Sequence, residues 1–236
     1  MKILTLTAKW LFILCLPVLL LTASIGWAVN SQWLYENGFE KYNVSQTTSL
    51  ANSELEMAAS GLISYFNSDE EAIDLTVTKD GQPFPLFSQR EVAHLKDVKG
   101  LIRLDYWVML GTGVYAISYP GINLFWRRKE YRRRLAWSVV GGCGITLGLM
   151  LVLGLAAILD FDQFFLQFHL FSFANDLWQL DPTKDYLIML FPQNFWYDAT
   201  MFCALGTVVM AVILAGVAGG YLISTRSKAA QKSIDR

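Results

Sequence analysis

The stretch "LAWSVVGGCGITLGLMLVLGLAAIL" at residues 135–159 decides the fold class. It runs for 25 residues without a charge, and about 20 apolar residues are enough to cross the hydrocarbon core of a bilayer as a helix. Three more uncharged apolar runs, at residues 10–29, 106–122 and 201–223, can do the same. The run at 106–122 is the shortest and starts beside Arg103 and Asp105. Hydrophobic residues make up 54% of the 236-residue chain, more than a soluble domain carries. The pattern predicts an all-α membrane protein with four transmembrane helices. The first run resembles a secretory leader in the small residues of "TASIGWA". It is long for a leader core and no clean A-x-A site follows it, so it reads as a retained helix.

Immediately before the opening stretch stands "RRKEYRRR", residues 127–134, basic at six of its eight positions. Lys2 and Lys9 precede the first run, and Arg226, Lys228, Lys232 and Arg236 follow the last. Basic residues mark cytoplasmic sides. Both chain ends and a basic loop at 123–134 are therefore expected in the cytoplasm, with residues 30–105 and 160–200 outside. The segments expected in order are a first transmembrane helix at 1–29, a cap at 30–105 and helices two and three within 106–159. An aromatic interfacial segment at 160–200 follows, then the fourth helix and tail at 201–236. The pairs Gly144/Gly148 and Gly216/Gly220 have the small-xxx-small spacing that lets helix backbones approach in lipid. This reads as the packing of a tight monomer. Cys15, Cys143 and Cys203 lie in apolar runs without paired spacing and read as small buried hydrophobes.

The segment 30–105 is long enough for structure of its own. Ser53 and Glu56 fit a capping box, followed by Leu55, Ala59, Leu62 and Phe66 at helical spacing. "DLTVTKDGQPFPLF" alternates around Asp80-Gly81 and predicts a short hairpin. Ser88 and Glu91 form a second capping box, opening a helix that carries His94 toward the second span. Together these predict a small, mainly helical extracytoplasmic cap.

Past the opening stretch, residues 160–198 hold twelve Phe, Tyr or Trp among 39. Such side chains favour the headgroup level of a membrane. Within them lies "FFLQFHLFSF", residues 164–173, which carries His169. The chain has only two histidines, His94 and His169. The predicted topology puts both on the outer side near a membrane boundary. Imidazole is the side chain best suited to take a proton near neutral pH. Glu91 and Asp97 lie three residues either side of His94, where a helix makes them neighbours able to orient the ring.

Other chemistries lack their motifs. There is no G-x-S-x-G elbow, glycine-rich phosphate loop or H-E-x-x-H motif, and "HLKD" is too short for the H-x-x-x-x-D of soluble glycerolipid acyltransferases. Two histidines with Glu91, Asp97 or Asp176 could in principle hold a metal, but no ligand spacing supports it. No metal or other cofactor is expected, and nothing points to nucleic acid.

The segments "REVAHLKDVKGL", "FLQFHLFSFANDLWQLDP" and "LIMLFPQNFWYDAT" resemble the bacterial lipoprotein intramolecular transacylases. The resemblance covers the four spans, the cap and both histidine motifs. It implies an extracellular cap over four transmembrane helices, with catalytic His94 and His169 where the two meet. It also implies a diacylglyceryl lipoprotein of the bacterial cell envelope as substrate. The sn-2 acyl chain would move to the amino group of its N-terminal cysteine, leaving a lyso-form lipoprotein. Transfer from ester to amine needs a proton acceptor and a proton or hydrogen-bond donor, which two histidines supply. His94 is the expected base, with Glu91 or Asp97 raising its proton affinity, while Phe173, Asn175 and Trp178 support the site or bind substrate. Membrane lipid is the other expected partner. Two alternatives remain: a non-catalytic outer-face protein that binds lipid or assists a transporter, and a metal-dependent membrane hydrolase.

Overall fold

The structure, a computed structural model, describes the backbone of residues 2–234 and the side chains of residues 5–125 and 131–226. It is mostly helical, in the order α1 (Lys2–Val29), α2 (Gln32–Lys41), α3 (Val44–Thr48), α4 (Asn52–Asn67), β1 (Thr76–Lys79) and β2 (Gln82–Pro85). Then come α5 (Gln89–Leu159), α6 (Phe161–Ser172), α7 (Tyr186–Leu190) and α8 (Gln193–Ile234). Two compact units emerge. One comprises Met1–Ser24, Tyr106–Leu155 and Cys203–Arg236, the other Ile25–Asp105 and Ala156–Phe202.

Among the described residues, three helical stretches are long and apolar enough to cross a membrane: Thr5–Val29, Tyr131–Leu159 and Gln193–Arg226. The run at 106–122 is helical too, but Thr, Ser, Tyr, Gly and Pro dilute its hydropathy. In the first unit, apolar side chains lie outside as well as inside. Leu14, Leu151, Val152, Leu205 and Val217 are all exposed, as suits a chain whose solvent is lipid.

The basic segment 123–134 differs from the loop expected there. Its backbone is helical, and α5 is assigned without a break. The chain nevertheless reverses. Tyr119 and Tyr131 have ring centroids 6.1 Å apart, whereas twelve residues of straight helix would separate them by roughly 18 Å. Pro120 lies at the start of this interval, and proline removes one helical N–H and crowds the preceding turn. The fourth helix also begins earlier than expected, at Gln193 just after Pro192, and not at 201.

Polar and aromatic contacts join the helices of the first unit. Tyr115 donates to the Ala8 carbonyl at 2.9 Å, and Phe12 stacks on Tyr119 at 5.2 Å. The fully buried Thr207 hydroxyl donates to the Cys203 carbonyl at 2.8 Å and shares a hydrogen bond with the Ser24 hydroxyl at 3.0 Å. Leu20, Cys143 and Ala211 form the apolar centre. The expected glycine pairs do not make this packing. A Cβ at Gly144, Gly148, Gly216 or Gly220 would meet nothing within 4 Å, whereas one at Gly142 would lie 2.6 Å from Leu16 Cδ1 and 3.0 Å from the Ile13 carbonyl oxygen.

In the second unit, α4 buries Leu55, Ala59, Leu62 and Phe66, the stripe its spacing predicts. Its N-terminus differs: Ala51 is the N-cap and no side chain caps it, so Ser53 lies inside the helix. The hairpin forms as expected, with Val77 opposite Phe84 and Asp80 and Gly81 both at positive φ (52° and 76°), the geometry of a two-residue turn. In the same unit Tyr35, Phe39, Phe191 and Phe195 form an aromatic cluster, with Phe191 and Phe195 centroids 5.0 Å apart.

These contacts predict opposite responses at neighbouring glycines. Gly142→Ala overpacks against Leu16 and the Ile13 backbone and costs about 1–3 kcal/mol. Gly144→Ala meets open space and, by restricting the unfolded chain, leaves stability unchanged or raises it by up to about 1 kcal/mol. Thermal unfolding in detergent reads the difference as a lowered midpoint for Gly142→Ala alone.

Candidate active site

His94 reaches its position through the N-terminus of α5. Ser88 caps this helix: its hydroxyl accepts from the Glu91 N–H while the Glu91 carboxylate accepts from the Ser88 N–H at 2.7 Å. The other Glu91 oxygen accepts from the Leu187 N–H at 2.6 Å, at the start of α7. Glu91 is only 1% exposed. Both oxygens are thus bonded to backbone, which gives Glu91 an anchoring role in place of the ring-tuning role expected from its spacing. Two turns further on, the buried Lys99 donates to Ser68 Oγ at 3.1 Å and the Glu70 carbonyl at 2.7 Å, with its ammonium 4.0 Å above the Tyr65 ring. One turn of α5 later than Glu91, His94 has little freedom to move.

His169 sits in the last turn of α6. Asp160 ends α5 and caps α6, its side chain accepting from the Gln163 N–H at 3.0 Å. One face of α6 turns His169 inward while Leu166, Leu170 and Phe171 on the other remain exposed. Such an apolar outer face suits the boundary of a bilayer.

The two histidines, 75 residues apart in sequence, come together with ring centroids 6.3 Å apart. They are 6% and 7% exposed. Phe173 lies edge-on to His94 at 5.1 Å, and Trp178 lies 4.9 Å from His169. Phe165 and Phe168 close the other sides of His169, at 4.3 and 5.4 Å. Among the described residues no group of three or more His, Cys, Asp or Glu gathers in metal-ligating range.

Hydrogen bonds distinguish the two rings. His169 Nδ1 lies 2.8 Å from the Phe165 carbonyl oxygen. A carbonyl only accepts, so Nδ1 carries the proton and Nε2 of the neutral ring presents a lone pair. His94 Nδ1 is buried with no hydrogen-bond partner. Burial pushes the His94 pKa down to about 4; the neighbouring His169 adds to this, and Asp97 opposes it more weakly. Acidic neighbours therefore do not raise the net proton affinity of His94 as expected. Burial also lowers His169, opposed by its bond to Phe165.

Asp97 accepts from Asn175 Nδ2 at 2.8 Å, so these two predicted site residues contact each other and lie beside, not on, the imidazoles. Sequence reasoning missed Arg90, whose guanidinium donates to the carbonyls of Asp176 at 2.7 Å and Leu177 at 3.4 Å. Its position four residues before His94 on a capped helix was the available signal. Phe165 was missed likewise, four residues before His169.

A family model described as "Lipoprotein intramolecular transacylase Lit" matches residues 10–196, which include both histidines and all the aromatic residues around them. The chain belongs to the lipoprotein intramolecular transacylase family. It is thus a member of a family of membrane acyltransferases acting on lipoproteins. The fold agrees with the membrane-integral transacylase Lit from Bacillus cereus at a TM-score of 0.81, covering 97% of this chain and 100% of that one at 21% identity. A variant of that enzyme with a histidine-to-arginine mutation matches at a TM-score of 0.75, over 94% of this chain and 93% of that one, at 20% identity. An uncharacterised protein of Aquifex aeolicus (strain VF5) is 28% identical over 129 residues, so the chain spans about half the length (54%) of that curated relative.

Two expectations follow from this geometry. Both imidazoles of the folded family member stay neutral at pH 7. In a proton NMR titration neither titrates above pH 6.5, and His94 stays neutral until about pH 4. Because the folded pKa lies below the unfolded value of about 6.5, the stability linked to His94 is complete above 6.5 and lost as pH falls toward the folded value. Second, Glu91→Ala leaves two buried N–H groups without acceptors and costs roughly 2–5 kcal/mol, read as a lowered thermal midpoint. Glu91→Gln, which keeps one acceptor oxygen, loses less.

Proposed function

We propose that this family member moves the sn-2 acyl chain of a diacylglyceryl lipoprotein to the amino group of its N-terminal cysteine, releasing a lyso-form lipoprotein. The observation that carries this reading is the pair of buried imidazoles, one with an unpartnered nitrogen. A protein that only bound lipid would gain nothing from an orphaned polar atom whose burial costs free energy.

The amine attacks the ester carbonyl, forming the C–N bond, and the proton it sheds passes to His169 Nε2. The α6 C-terminus favours the resulting imidazolium, as does the Phe165 carbonyl. The C–O bond to glycerol then breaks, and His169 returns the proton to the departing oxygen. His94, kept neutral by burial, donates from Nδ1 to the tetrahedral oxyanion. This reverses the base assignment expected from Glu91 and Asp97. Donor and acceptor belong to one substrate, so positioning supplies much of the rate. The aromatic wall excludes water that would otherwise hydrolyse the ester.

We further propose four membrane spans, with the segment 106–122 added, second in chain order, to the three long apolar helices. Trp107, Leu110, Val114 and Ile117 recur at helical spacing on one face and are all exposed, Ile117 at 77%, an arrangement that fits lipid contact. Positive-inside counting then puts both termini in the cytoplasm and places residues 30–105, as a cap, and the histidine site on the extracytoplasmic face.

His94→Ala and His169→Ala are each expected to slow formation of N-acyl lyso product about 10²–10⁴-fold at normal protein levels. Mass spectrometry of lipoprotein N-termini, from cells expressing each variant with a diacylglyceryl lipoprotein, is the measurement. Parent-level product from both variants would refute the histidine mechanism.

A further inference from the structure

Two histidines that are 6% and 7% exposed cannot meet a lipid ester until something moves. The segment between α6 and α7 covers them. After Phe173 it has no helix or strand until Tyr186, and its local bonds are turns: Asn175 Oδ1 accepts from the Leu177 N–H at 3.1 Å, and the Asp176 carbonyl accepts from the Gln179 N–H at 3.2 Å. Phe173 at one end of this strap touches His94, and Trp178 near the other touches His169.

What fastens the strap is specific. Arg90, His94 and Asp97 are spaced by four and three residues on α5 and share one face. Arg90 holds the carbonyls of Asp176 and Leu177, and Asp97 holds the Asn175 amide. His94 therefore lies between the two fastening points. Asn175 and Asp176 are exposed, and hydrogen bonds at such sites compete with water, so they yield before the buried Glu91 and Lys99 anchors of the same helix. The strap can lift while α5 stays in place.

We infer that Arg90 and Asp97 are positioning residues that pin residues 173–179 across His94, and that release of this strap admits the acyl substrate to the histidines. The inference rests on the proposed transacylase reading for its substrate, but the strap itself is tested without substrate. Diethyl pyrocarbonate modifies accessible neutral imidazoles. Because the chain has only two histidines, peptide mass spectrometry of the full-length protein in detergent reports each one separately.

Asn175→Asp sets a carboxylate against Asp97 and is expected to speed modification of His94 and His169 about tenfold, with the thermal midpoint little changed. Adding Asp97→Asn reverses donor and acceptor and is expected to restore slow labelling. A merely structural lesion would not be rescued by that exchange. In turnover assays the single variant should change KM and kcat together, and the exchange should recover both. Labelling at the parent rate in Asn175→Asp, or no recovery in the exchanged pair, overturns the strap whatever the reaction proves to be. Loss of product formation with normal labelling behaviour would instead count against the transacylase reading alone.

Discussion

The carboxylate of Glu91 is the point on which the arrangement around the histidines depends. A buried carboxylate is costly unless its lone pairs are used, and here the two oxygens accept from the Ser88 and Leu187 backbone N–H groups. One bond closes the start of α5; the other ties α5 to α7. Without the first the helix would fray toward His94. Without the second the chain beyond the strap would lose its register against α5. The carboxylate thus serves the structure, while burial keeps both imidazoles neutral.

That neutrality suits acyl transfer in a dry site. An imidazole charged at rest would need water or a counter-ion beside it, whereas in the proposed reaction His169 holds the extra proton only in passage from amine to glycerol oxygen. The rings of Phe165, Phe168 and Phe173 supply bulk without polar atoms, so they exclude water and do not compete for the imidazole nitrogens. The two rings then differ only in what their nitrogens touch: His169 has a carbonyl to hold its Nδ1 proton, and His94 has nothing. In the proposed reaction that difference of one hydrogen bond gives the two rings separate tasks.

Much of this was legible in the sequence because it is local. The Ser88 and Glu91 box, the Asp80-Gly81 turn and the buried stripe of α4 each follow from spacing within a few residues. The pairing of His94 with His169 could be anticipated because both flank apolar runs. What was missed depends on distant partners. Glu91 looks like a tuner of His94 until Leu187 is known to lie against it. Gly142, with no spacing to single it out, is the glycine under a neighbouring backbone, while Gly144 and Gly148 meet open space. The charges at 127–134 read as a loop because charge marks the water side, not because helical backbone is barred there.

Asp160 closes α5 and opens α6 with no residue between its two duties. The junction therefore works as a crank: the direction in which α6 leaves, and the angle at which His169 points, are set by a fixed number of residues. Each residue of helix turns by about 100°. A single insertion between Asp160 and Phe168 would swing the imidazole away from its partner and bring Phe168 into its place. The length of this part of the chain therefore fixes where the imidazole points as firmly as the Phe165 and Phe168 rings that pack on it.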